Sequence, residues 1–149
     1  MNEPQLQRIH MPKFALPLLI ILSLSILTGC VSREQADAKL ATACVAAVEA
    51  LADRKLGDIA DTKATPSPEG PDFRHITVMT GSDDGWLDEF GEYKCIFQET
   101  FSIFNRAHTA SIYQVHYDGE IVGKAGSKIL GSPSQLLQLE EAVRGALYE

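Results

Sequence analysis

Two cysteines sit on apolar faces of different period, and any fold of this chain has to satisfy both. Around Cys44, Ala36, Leu40, Ala43, Ala47 and Leu51 recur at threes and fours, with Val48 beside them. That spacing is one face of an α-helix. Around Cys95, Tyr93, Phe97 and Phe101 fall at every second or fourth position, with Glu99 the one interruption and Lys94, Ile96, Gln98 and Thr100 opposite. That is one face of a β-strand. Each face turns its cysteine inward, so a helix laid on a sheet brings the two together.

The first thirty residues belong to something else. Arg8 and Lys13 precede an apolar run, and no charged residue occurs from Phe14 to Ser32. A basic n-region, an apolar h-region and small residues at the end make a secretory leader. The end reads Leu27-Thr28-Gly29-Cys30 in place of Ala-x-Ala. This resembles the bacterial lipobox, in which an aliphatic and two small residues precede a cysteine. The resemblance covers the first 30 residues. It implies a diacylglyceryl group on the Cys30 sulfur, cleavage between Gly29 and Cys30, and acylation of the new amino group. Two acyl chains anchor a protein stably where one holds it marginally, at about 0.8 kcal/mol per buried methylene. The alternative, an uncleaved membrane helix, is poorly served: Phe14–Leu27 falls short of the roughly 20 residues a span needs, and Pro17, Ser23 and Ser25 weaken it. Either Met1 or Met11 can start the chain, with the same mature product.

The expected division is a leader at 1–29 and one small periplasm-facing domain at 30–149. Residues 1–29 carry Arg8, Lys13 and Glu3, so their removal takes the net charge from −7 to −8. An acidic domain is ill suited to nucleic acid and to anionic lipid, which leaves the lipid on Cys30 as the membrane contact. By the same resemblance, Val31 stands where inner-membrane retention usually has Asp, and this points to the outer membrane facing the periplasm.

With Cys30 lipidated, Cys44 and Cys95 remain of the three cysteines. An even pair in an oxidising compartment is expected to close, and a loop of this length stabilises by about 4 kcal/mol. The alternative is two buried free thiols. A zinc site lacks the CxxC and paired-histidine spacing it needs.

The expected fold is α+β: an N-terminal helix, a three- or four-stranded antiparallel sheet, a C-terminal helix on the same face, and one helix-to-sheet disulfide. Ser32 and Gln35 make a capping box for the first helix, and Gly57 is its expected stop. The proline-rich stretch 58–72 reads as a loop. Strands are expected over 73–80, 92–101, 109–117 and 120–125, the last two joined by an Asp118-Gly119 hairpin turn. Ser132, Pro133 and Gln135 open the last helix. Its apolar stripe is Leu136, Leu139, Val143 and Leu147, with Leu137 alongside.

Chemistry is sparse. Gly119–Ser127 resembles a phosphate loop only superficially, because three residues separate Gly119 from Gly123 and Ala125 follows Lys124, where GxxxxGK[ST] needs four and a hydroxyl. His75, His108 and His116 fall in no catalytic motif, although His75 and His116 are placed to lie near each other. Asp83, Asp84, Asp88, Glu89 and Glu92 surround Trp86 without calcium-loop order. Asp83, Asp84 and Trp86 form the candidate interaction surface. No catalytic residue, metal or cofactor is assigned. The expected function is a non-enzymatic envelope lipoprotein that binds or supports another envelope protein. The alternatives are a small periplasmic hydrolase using a histidine and carboxylates, or a lipid-anchored enzyme inhibitor.

Overall fold

The computed structural model describes residues 30–81 and 91–148. Helix α1 spans Arg33–Ala52, and six strands follow: β1 Ile59–Pro66, β2 Phe73–Thr80, β3 Gly91–Phe101, β4 His108–Tyr117, β5 Glu120–Ala125 and β6 Lys128–Leu130. Helix α2, Pro133–Tyr148, closes the described chain. The sheet is an antiparallel meander in the order β1-β2-β3-β4-β5-β6. Both helices pack on one face of it and against each other. The fold is therefore α+β with six strands, two or three more than the periodicity suggested.

Both helices start as their sequences dictate. The Ser32 hydroxyl accepts from the Gln35 N–H at 3.1 Å while the Gln35 side chain accepts from the Ser32 N–H at 3.0 Å. The same reciprocal pair joins Ser132 and Gln135. Each satisfies two N–H groups that a helix start leaves without partners. Helix α1 stops earlier than Gly57. Asp53 caps it in the left-handed region at φ 50, which Asp tolerates better than most residues. Beyond it Arg54 and Lys55 offer nothing apolar to continue the stripe. In α2, Leu139, Val143 and Leu147 are buried, but Leu137 is 69% exposed. It lies beside the buried stripe and faces the solvent.

The stretch 58–72 is a strand and a turn rather than a loop. β1 pairs with β2 through Lys63↔Thr77 and Ala64↔Ile76, and Pro66 falls at its end, where no ladder bond is lost. Most of β1 is exposed, as befits an edge strand with charged side chains. β6, three residues long, forms the other edge.

The core lies between the helices and the inner face of the sheet. Ile76, Cys95, Val115 and Val122 stand in one row across four strands, and Leu40, Ala43, Ala47 and Val48 of α1 pack on them. The small alanines let the helix approach closely. Cys44 and Cys95 are bonded, with Cα atoms 5.7 Å apart and both fully buried. Opposite β3 the ladder slips: Ile96 faces Gln114 and Phe97 faces Ile112, leaving Tyr113 as an extra residue. This bulge brings the Tyr113 carbonyl against β5. A Cβ on Gly123 would sit 2.1 Å from that oxygen, and the residue has φ +137, so only glycine fits.

Candidate functional site

The charged side chains concentrate where the chain enters the fold. Glu99 follows Cys95 and Phe97 on the inner face of β3 and is only 6% exposed. A carboxylate there is costly unless it is paired. Both of its oxygens are engaged: Arg33 donates to Oε1 at 2.6 Å and His108 Nε2 lies 2.9 Å from Oε2. The Arg33 guanidinium also lies 4.4 Å from the centre of the Phe101 ring, which itself packs on the His108 imidazole at 4.7 Å. Asp37, one turn along α1, takes two bonds from Arg74 of β2, at 2.9 and 2.5 Å. The first turn of α1 is thereby fastened to the ends of β2, β3 and β4. Among the described residues no buried side-chain polar atom lacks a partner.

The β3–β4 hairpin leaves from this cluster. Its base is closed by the Ser102 N–H on the Ala107 carbonyl at 2.9 Å and the Ala107 N–H on the Ser102 hydroxyl at 2.8 Å. A 3-10 turn over Ile103–Asn105 forms the tip. Ile103 is 80% exposed and Phe104 78%. Phe104 has φ 65, a left-handed conformation that costs a bulky side chain roughly 1–2 kcal/mol.

Of the described histidines, His75 and His116 lie on the outer face. The two flank β3 there. Burial first, then the charges of His75 and Lys94, hold His116 below the usual imidazole range, with Glu69 opposing. Its Nε2 lies 3.1 Å from the Gln114 side-chain oxygen. The Ser67 hydroxyl, bonded to Glu69, holds that carboxyl below its usual value, with His75 and His116 adding to the effect. Among the described residues no three histidines, cysteines or acids gather as a metal would need.

Asp83, Asp84 and Trp86, the surface singled out from sequence, lie outside the described residues, as does everything before Cys30. Cys30 itself is exposed and free, three residues before α1. His108, which sequence left without a partner, is the histidine that gains a carboxylate. The signal was Glu99, the one acid on an otherwise apolar strand face.

No family model matches the chain, and neither a curated protein nor a solved structure does.

Proposed function

We propose that the chain is the precursor of a membrane-anchored envelope lipoprotein. Cys30 carries the lipid, and residues 30–149 form a periplasm-facing domain, held at the outer membrane, that binds or supports another envelope protein without performing catalysis. The observation that carries this reading is the apolar run ending in Leu27-Thr28-Gly29-Cys30. Two structural facts support it. Helix α1 begins at Arg33, so the folded domain starts immediately after the site of cleavage. The Cys44–Cys95 bridge suits an oxidising compartment. Among the described residues no helix is long and apolar enough to cross a membrane.

The test is Cys30→Ala in the full chain. It should abolish labelling by a radioactive fatty acid and leave an uncleaved precursor. Unchanged labelling and processing would remove the lipoprotein reading.

A hydrolytic reading draws on the Glu99–His108 pair, in which a carboxylate orients an imidazole as in nucleophilic enzymes. The supporting role is preferred because Arg33 already holds the other Glu99 oxygen and the nearby Ser102 hydroxyl closes the hairpin.

A further inference from the structure

The tip of the β3–β4 hairpin is apolar, exposed and at the end of the domain where the chain enters the fold from Cys30. Phe101 at its base touches the Arg33 guanidinium. Arg33 is the third residue after Cys30, a reach of at most about 10 Å. Ile103 and Phe104 therefore project from the same end of the domain as Cys30. Tyr148, exposed at the end of α2, is tied to this end by two bonds between its hydroxyl and the backbone of Ala110. Arg33 lies on Phe101 at the base of the hairpin, and the exposed Arg106 follows the tip in the chain.

Nothing inside the fold accounts for the tip. Ile103 and Phe104 leave most of their surface exposed, and Phe104 is nevertheless held in a left-handed conformation. The closed base at Ser102 and Ala107 presents the two side chains on a short, pinned loop.

We propose that Ile103 and Phe104 insert into the leaflet that holds the lipid on Cys30, giving the domain a second attachment and a fixed tilt. This rests on the lipoprotein reading of Cys30. A lipid surface is the occupant for three reasons. Two side chains are far too little for a specific protein interface, which buries about 800 Å² per partner. The exposed Arg106 beside the apolar tip suits a membrane–water boundary, where its stem lies on apolar surface and its charged head stays in water. The neighbouring Cys30 already brings the bilayer to this end. Burial of apolar surface drives the contact, since Glu34 and Asp72 are exposed here and oppose attraction to anionic headgroups.

The experiment uses the full chain, processed in its membrane, purified and returned to vesicles of phosphatidylcholine brominated along the acyl chains. In a Trp86→Phe background, one variant carries Phe104→Trp and a control carries Ile121→Trp, at the opposite end of the sheet. Emission from position 104 should be quenched by about twofold or more, since interfacial groups sit roughly 5–10 Å into the acyl boundary. Emission from position 121 should be unaffected. Equal, unquenched emission from both positions in protein whose mass shows the lipid on Cys30 would overturn the insertion and leave the lipoprotein reading standing. Quenching at 104 in protein whose mass shows no lipid would support the insertion and overturn the lipoprotein reading instead.

Discussion

The middle of α1 and its first turn both reach β3, by opposite means. In the middle, Cys44 is bonded to Cys95 inside a wholly apolar layer. At the first turn, Arg33 meets Glu99 and His108 across a contact that is half open to water, with 47% of the arginine side chain exposed. The difference follows from position. Mid-helix, small alanines bring the backbone close enough for a short covalent link. At the first turn the chain is arriving from Cys30, Ser32 and Glu34 are solvated, and the end of β3 presents an acid that needs polar partners. A buried acid answered by an arginine and a histidine does the same work with polar groups.

The largest expected effect comes from cutting the middle attachment. Cys44→Ser with Cys95→Ser should lower stability by about 2–5 kcal/mol, read as a drop in the denaturation midpoint. A change below about 1 kcal/mol would mean that the apolar layer holds α1 without help. Breaking the first-turn attachment should cost less. Glu99→Ala leaves a buried His108 without its partner, while the half-exposed Arg33 turns back to water. A loss of about 1–3 kcal/mol is expected in the same measurement, with the disulfide intact by thiol count. A loss as large as that of the double cysteine variant would reverse the order of the two attachments.

The smallest effect is at the far end of α1. Glu49 takes bonds from the Lys55 ammonium and the Leu56 N–H, and the Lys55 bond leads in holding its carboxyl below the usual value. A carboxyl lowered in the folded state contributes stability above its unfolded pKa and loses it as the pH falls through the folded value. Lys55 is solvated, so the contribution is under about 1 kcal/mol. Glu49→Gln should lower stability at neutral pH by that small amount and flatten the acid limb of a stability–pH curve below about pH 4.5, where variant and parent converge. An equal loss at every pH would assign Glu49 a packing role.

The same contrast governs what could be read from the sequence. Both capping boxes, β2 to β5 and the meeting of Cys44 with Cys95 were legible, because periods of 3.6 and 2 and local turn chemistry are written in neighbouring residues. The Asp118-Gly119 turn came out as expected, with both residues at positive φ. β1 was not legible. As an edge strand it faces water at Asp61, Thr62 and Lys63, so no alternation marks it, and Pro66 with Pro68 and Pro71 after it suggests a loop. β6 is too short to show a period and follows Gly126. Glu99 stood out as an interruption, but its partner Arg33 is 66 residues away, and only the register of the folded sheet brings them together. The apolar tip at Ile103 and Phe104 carries no periodic signal at all.

The central claim joins a lipid on Cys30 to a domain closed by Cys44 and Cys95, and one intact-mass measurement addresses both. The chain is taken from its membrane and alkylated under denaturing conditions without reduction. The account predicts a chain beginning at Cys30, heavier than residues 30–149 by its acyl groups, with no alkylated thiol. A chain retaining residues 1–29, free of lipid and alkylated at Cys30, Cys44 and Cys95, would contradict it.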